Sequence, residues 1–239
     1  MSDLTPSYDS TYLQALFDEM QSTYERVSNI TSFGFSLRWR RQLVALMCLQ
    51  AGMSIGDLMA GGGETWRYVL PRIQPDGTLI AVDFSRAMVN HAHQRKCQLN
   101  AGNVTVQEEN ALCSSIPAHS LDAVICVYGV KTLSPDQQRQ FVHEVSRILK
   151  HGGMVGLVEV SLPPFRGLRS LYWFYMRHVV PLVGKLLLGN SENYRMLSTY
   201  MTRFGDCHRL KPLFAAQGFD LCYHSFFWGC ASALVGKKR

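Results

Sequence analysis

Ile55-Gly56-Asp57-Leu58-Met59-Ala60-Gly61-Gly62-Gly63-Glu64, with Thr78-Leu79-Ile80-Ala81-Val82-Asp83 soon after it, is the stretch that decides the fold. It reads as a strand, a tight glycine turn, a helix start, and a second strand ending in an acid. In a βαβ unit that arrangement builds a nucleoside site. Glycines let the backbone approach the ligand, and an acid at the end of the second strand accepts ribose hydroxyls. Asp83 lies twenty residues after Gly63, which is the separation such a unit uses.

Working outward, strands are predicted at 54–59, 78–83, 104–107, 121–127 and 154–160, and helices at 64–73, 86–98 and 135–149. Ser134-Pro135 is a helix start signal. His151-Gly152-Gly153 is read as the stop that turns the chain into the fifth strand. A helix at 207–216 precedes two late strands near 219–226 and 230–236. The expected fold is α/β: a doubly wound, Rossmann-like, seven-stranded sheet in a single domain over 1–239. Residues 1–50 carry helical apolar spacing, interrupted by a polar loop at Asn29-Ile30-Thr31-Ser32-Phe33-Gly34, and form an N-terminal helical cap. Residues 163–203 are an aromatic insertion after strand five, holding Tyr172, Trp173, Phe174, Tyr175, His178, Tyr194 and Tyr200. An insertion at the carboxyl end of such a strand is expected to form a lid or substrate pocket.

The composition suits one folded domain of 239 residues with 47% hydrophobic residues. No apolar stretch is long enough for a spanning helix, and Met-Ser-Asp-Leu-Thr-Pro has no signal-peptide character. Seven scattered cysteines form no Cys-x-x-Cys pair, which points to reduced thiols and a cytoplasmic protein. The formal charge of +6 is dispersed along the chain, so a solvated basic face is favoured over a nucleic-acid partner.

The helix start separates two ligand classes. A diphosphate needs a third spaced glycine and free N–H groups at the helix N-terminus. Here Trp66 stands at that third position, and Glu64 would repel a diphosphate. Asp57, Glu64 and Asp83 instead suit a ligand that carries an ammonium and a sulfonium. The loop with these acids favours S-adenosylmethionine over a nicotinamide cofactor. Asn110 and the backbone N–H of Ala111 can meet the adenine edge. Tyr128-Gly129-Val130-Lys131, after the fourth strand, falls beside the first strand's loop, near the reacting methyl group.

Taken together these residues resemble the ubiquinone/menaquinone biosynthesis C-methyltransferases, a class I S-adenosylmethionine-dependent family. The resemblance runs from about residue 17 to 238. It rests on Tyr24-Glu25, Ser32-Phe33-Gly34 and Trp39-Arg40-Arg41, on the Asp57–Glu64 loop, and on Asp83-Phe84-Ser85 with Met88. Glu159-Val160-Ser161-Leu162-Pro163, Tyr172-Trp173-Phe174-Tyr175, Val180–Gly184, Tyr194, Phe204 and Gly229–Lys237 complete it. It implies a cofactor site of Tyr24, Trp39, Asp57, Met59, Ala60, Gly61, Gly63, Asp83, Phe84, Met88, Asn110, Ala111 and Tyr128. The chain departs from the family at Glu25 and Ser28 (for Asp and Asn), at Asn110 (for Asp), and at Lys131-Thr132 (for Arg-Asn). Lys131 keeps the charge of the arginine and loses its bidentate fork.

Carbon methylation of a quinol, phenol or prenylated ring is therefore expected, with Lys131 stabilising the acceptor oxyanion and His178 as the other candidate base. Tyr172, Tyr175, Tyr194, Tyr200 and Glu159 are the candidate acceptor contacts. The alternative is N-, O- or C-methylation of a specialised metabolite, which the Lys131-Thr132 change favours. A ligand-binding member without activity is disfavoured by the intact Asp57, Gly61, Gly63 and Asp83. No metal is expected: His91-x-His93 is weak ligand spacing near a helix end. Expected partners are a small aromatic or apolar acceptor, and peripheral membrane contact through Val179–Leu188, flanked by Arg177 and Lys185. The oligomeric state stays open, a homodimer included.

Overall fold

β1 (Ser54–Leu58) is the centre of a seven-stranded sheet and pairs in parallel with β2 (Thr78–Asp83) and β4 (Leu121–Val127). β3 (Val104–Glu108) continues beyond β2, and β5 (Leu149–Val160) beyond β4. β7 (Ala231–Lys238) runs antiparallel to β5, and β6 (Phe219–Phe226) closes the far edge. The order is β3-β2-β1-β4-β5-β7-β6. The chain leaves β1 toward one edge and comes back at β4 toward the other. That reversal opens a crevice at the carboxyl ends of β1 and β4, where ligands bind in such sheets. This computed structural model describes residues 8–188 and 192–239, without the side chains of 10, 17, 20–24, 184, 186–188 and 192–195.

Strands buried on both faces read as continuous apolar runs. Ile55, Ala123 and Ile125 face a core made with α2 (Phe35–Leu46) and α3 (Trp66–Ile73). Leu58, Val124 and Cys126 face the opposite core, made with α5 (Pro135–Ile148) and α9 (Lys211–Ala216). α5 starts with a complete capping box between Ser134 and Gln137.

Some boundaries differ from the sequence reading. The polar segment 29–34 is not a loop throughout: α1 (Ser10–Thr31) runs to Thr31, whose hydroxyl donates to the Val27 carbonyl at 2.7 Å. The reversal is confined to residues 32–34, with Gly34 at φ 76°. His151-Gly152-Gly153 does not stop α5, because β5 already starts at Leu149. The β4–β5 register slips between Leu121 and Ala123, and Gly152 at φ 73° lies in the slipped segment of β5. The helix expected at 64–73 starts at Trp66, since residues 60–66 are occupied by successive turns. The segment 207–216 splits into a 3₁₀ turn at Cys207–Leu210 and α9, whose first turn holds Pro212.

The insertion is helical. α6 (Arg166–Phe174) passes through a π-helical turn at Tyr175–Val179 into α7 (Val180–Leu188), and α8 (Glu192–Phe204) leads back to the sheet. Val180, Met196 and Tyr200 pack against Leu13, Leu16 and Val27 of α1. Cap and insertion thus share one small core above the carboxyl ends of the strands. Among the described residues no helix is long and apolar enough to cross a membrane.

Candidate active site

The glycine turn is shaped by three left-handed residues, Met59, Gly61 and Gly63 at φ 55°, 56° and 76°. Gly61 donates its N–H to Asp83 Oδ2 at 2.8 Å, and Ser85 donates its N–H to Oδ1 at 2.9 Å. The carboxylate at the end of β2 therefore holds the glycine turn in place. A Cβ on Gly63 would stand 2.6 Å from the Trp66 ring, so the indole fills the space a third glycine would leave open. The Trp66 ring is fully buried and its Nε1 donates to Asp57 Oδ2 at 2.9 Å.

Asp57, Glu64 and Asp83 are all buried. Burial raises the Asp57 carboxyl to about 8, opposed by the Trp66 hydrogen bond and reinforced by Glu64 and Asp83. Burial likewise raises Asp83 to about 6, against the lowering effect of its two backbone hydrogen bonds. Three clustered, buried carboxylates form a site that gains from a cation and resists a diphosphate. The donor set fits a nucleoside that carries an ammonium and a sulfonium.

The N-terminal helix covers this crevice. Asp18 of α1 accepts from Ser85 Oγ at 2.5 Å and from Ala87 N at 3.2 Å, and Gln14 donates to the Phe84 carbonyl at 3.1 Å. Glu25 pairs with Arg95 of α4 (Arg86–Gln98), and Arg95 Nε donates to the Gly62 carbonyl at 2.6 Å. The cap is thereby tied to the same turn that Asp83 holds.

Tyr128, at the end of β4, lies in the wall of a second space. It is left-handed at φ 63°, its hydroxyl donates to the Ser36 carbonyl at 2.9 Å, and the Arg40 guanidinium lies 4.7 Å from its ring centre. That space is a cavity of about 580 Å³ lined by Trp39, Tyr128, Lys131, Tyr172, Tyr175 and Met201 among others. The lining is mostly apolar and aromatic. Lys131 is buried in its wall, bonded to Glu159 Oε2 at 3.1 Å and to the Tyr128 carbonyl. Its backbone N–H also donates to Glu159 Oε1 at 3.1 Å. Burial raises the Glu159 carboxyl, while Lys131 draws it down.

Residues 6–238 match the ubiE/COQ5 methyltransferase family. The chain belongs to that family. It is a methyltransferase, and its fold is that of S-adenosylmethionine-dependent methyltransferases. The chain is 31% identical over 226 residues to the demethylmenaquinone methyltransferase of Geobacillus kaustophilus, covering 94% of this chain and 95% of that one. It is 27% identical over 225 residues to the enzyme of that name from Listeria monocytogenes serotype 4a, covering 94% of each. Among solved structures, the fold is similar to a SAM-dependent methyltransferase from Aquifex aeolicus, with a TM-score of 0.61, 14% identity, and 84% and 89% of the two chains covered. The [4+2]-cyclase SpnF is similar with a TM-score of 0.70 and 13% identity, covering 100% of this chain and 99% of that one.

The expected site residues of this methyltransferase fall into three groups. Asp57, Met59, Ala60, Gly61, Gly63, Asp83, Phe84, Met88 and Ala111 lie in or directly behind the crevice segments. Ala60 N donates to the Val82 carbonyl, and Met88 N is capped by Ser85. Asn110 follows β3, but its Oδ1 accepts from Leu112 N at 2.9 Å and so caps its own turn. Trp39 faces the apolar cavity, together with Lys131, Tyr172 and Tyr175.

The remaining candidates lie apart from the cavity lining. Tyr200 is fully buried, edge-on to Tyr8 at 5.7 Å, in the core shared with α1. His178 is exposed and packs on Phe174 at 4.8 Å. Glu159 sits behind Lys131 and is 1% exposed. The side chains of Tyr24 and Tyr194 lie outside the described residues.

Sequence reasoning missed Gln14, Asp18 and Arg95, which latch the cap, and the Trp66–Asp57 bond. It also missed Phe227, which enters the cavity from the β6–β7 turn. The run Phe226-Phe227-Trp228 was the available signal.

Proposed function

We propose that this methyltransferase moves the methyl group of S-adenosylmethionine to a ring carbon of a demethylmenaquinol-like, prenylated quinol. The observation that carries this reading is the apolar cavity of about 580 Å³ with Tyr128 and Lys131, from the turn after β4, in its wall. A quinol ring with an isoprenoid tail needs an aromatic slot and a long apolar outlet. The demethylmenaquinone methyltransferases to which the chain is similar point the same way.

When bound, the cofactor supplies a methyl group already made electrophilic by its sulfonium, so no metal is required. Asp83 is placed to accept the ribose hydroxyls. Asp57 and Glu64 balance the positive charge. Tyr128 aligns the acceptor ring with the crevice and, with the cap, excludes water. The acceptor hydroxyl must lose its proton before electron density reaches the ring carbon. Lys131 then faces the oxyanion with an ammonium already fixed in position. Glu159 is the positioning residue, since it holds Lys131 by two contacts. The acceptor's ring carbon would take the methyl group, leaving S-adenosylhomocysteine, and the proton it displaces would pass to solvent.

Lys131→Met tests the assignment. The expected loss in kcat is about 100-fold, with S-adenosylhomocysteine affinity unchanged by calorimetry. Full turnover would remove Lys131 from the chemistry. Glu159→Gln combined with Lys131→Met avoids leaving a lone buried carboxylate, and keeps the test valid if the single variant unfolds.

A second reading, methylation of a smaller specialised metabolite, draws on Thr132. Its hydroxyl donates to the Gly129 carbonyl at 2.7 Å, inside its own turn, rather than offering an amide to a quinone. Turnover of demethylmenaquinol analogues set against small heteroaromatic acceptors separates the two readings.

A further inference from the structure

The cavity mouth is framed by large apolar side chains that point into solvent. Phe33, Leu171 and Phe227 line the cavity and are still 80%, 67% and 46% exposed. Trp228 stacks beside Phe227 at 5.1 Å and is 74% exposed. Gly229, next in the chain, packs on Pro163 and Pro164, which brings Phe165 to the same rim. Phe165 is 73% exposed. Phe174 lies one turn along α6 from Leu171, on the same helix face, and is 54% exposed. Isolated exposed apolar residues are ordinary, but a contiguous set at a cavity mouth marks a contact surface.

Charge identifies the occupant. The three segments that build the rim carry no acid: none lies between Glu25 and Asp57, between Glu159 and Glu192, or after Asp220. Exposed Arg38, Arg166, Arg169 and Lys185 come from the first two of these segments. Two copies meeting through this face would bring those cations together. A lamella of anionic lipid instead offers hydrocarbon to the aromatic residues and headgroup charge to the arginines. Three of the aromatics, Phe33, Phe227 and Trp228, are held at φ 50°, 45° and 52°. Bulky residues seldom adopt that conformation without another constraint.

The geometry points to a docking face for anionic membrane around the cavity mouth, through which an apolar acceptor passes from the bilayer without crossing water. It is centred on Phe33, Phe165, Phe174 and Trp228. The sequence had placed membrane contact at Val179–Leu188; of that stretch Val180 is buried against α1 and Leu182 is 55% exposed. The inference concerns the rim and goes beyond the identity of the acceptor.

The test is flotation of the full chain with phosphatidylglycerol and phosphatidylcholine vesicles at low and high salt. The expected result is binding to the anionic vesicles at least about tenfold stronger than to the neutral ones, weakened by salt. The variant Phe165→Ser/Phe174→Ser/Trp228→Ser replaces no residue of the cavity lining. It should lose about tenfold in vesicle binding while turning over a short-chain, soluble acceptor at the unaltered rate. If that variant misfolds, quenching of wild-type tryptophan emission by brominated lipid, compared with Trp228→Phe, replaces it. Absence of binding to phosphatidylglycerol at low salt overturns the inference. So does a rim-dependent dimer in sedimentation that leaves lipid binding untouched by the triple variant. Failure of quinol turnover alone would count against the proposed acceptor and leave this face standing.

Discussion

The crevice at the carboxyl ends of the parallel strands and the cavity beneath the insertion are built in opposite ways. The crevice is made by one short stretch of chain plus one distant acid. Its shape comes from backbone conformation at Met59, Gly61 and Gly63, and its charge from Asp57, Glu64 and Asp83. The cavity is made by side chains from α1, α2, the turn after β4, the insertion and the β6–β7 turn. No two neighbouring lining segments determine its shape. A local site tolerates almost no change in its few residues, whereas a distributed site tolerates change at any one of many.

The largest effect should come from Asp83→Ala. It removes the acceptor for Gly61 N and Ser85 N as well as the proposed ribose contact, so the glycine turn loses its anchor. S-adenosylhomocysteine affinity should fall about 100-fold or more by calorimetry. Undiminished affinity would mean that the crevice has been misplaced.

Gly63→Ala should come next. The position is left-handed, and the added Cβ would stand 2.6 Å from a fully buried indole. A loss of about 2–4 kcal/mol in unfolding free energy is expected, read by denaturant titration. Gly205→Ala is the control: it is equally left-handed, but nothing lies within 4 Å of its Cβ.

The proton held by Asp57 gives a smaller, pH-dependent effect. In the folded protein its carboxyl titrates near 8, against an ordinary value of 3.8. Between those values the native state binds more protons than the unfolded one. This group therefore subtracts stability as pH rises through that window, and no more above it. A bound cation displaces the proton, so S-adenosylmethionine affinity should strengthen as pH rises from 6 to 8, by at most about tenfold per unit. Asp57→Asn should flatten that slope. A slope that persists in the variant assigns the proton to another group.

The smallest effect should be Tyr200→Phe. Its ring lies in the core between α1 and α8, away from the cavity lining. Turnover should stay within about twofold, with no more than about 1–2 kcal/mol of stability lost. A large fall in kcat/KM would place the acceptor further under the insertion than the cavity suggests.

The same contrast explains what could be read from the chain directly. The seven strands were legible because each is a short apolar run bounded by turn residues, and the glycine turn because its residues are adjacent. The ends of α1 and β5 were misjudged for a local reason. Thr31 extends its helix by bonding back to Val27, and β5 tolerates a register slip that no composition signals. Tyr200 and His178 share the aromatic density of Tyr172 and Tyr175, but helical phase turns them away from the cavity. Residues of one type on one helix cannot be sorted by side without knowing what the helix packs against.

By itself, the sequence determined the sheet, the glycine turn and the acidic character of the crevice, because those depend on neighbours along the chain and on strand ends that a βαβ unit always brings together. Only the tertiary structure decided that Trp66 shields Asp57, that Glu159 holds Lys131, and that α1 is latched over the turn through Asp18 and Glu25. Those contacts join residues separated by as much as 70 positions. Such pairings are fixed by how packed layers close on each other, and a linear pattern carries no record of that closure.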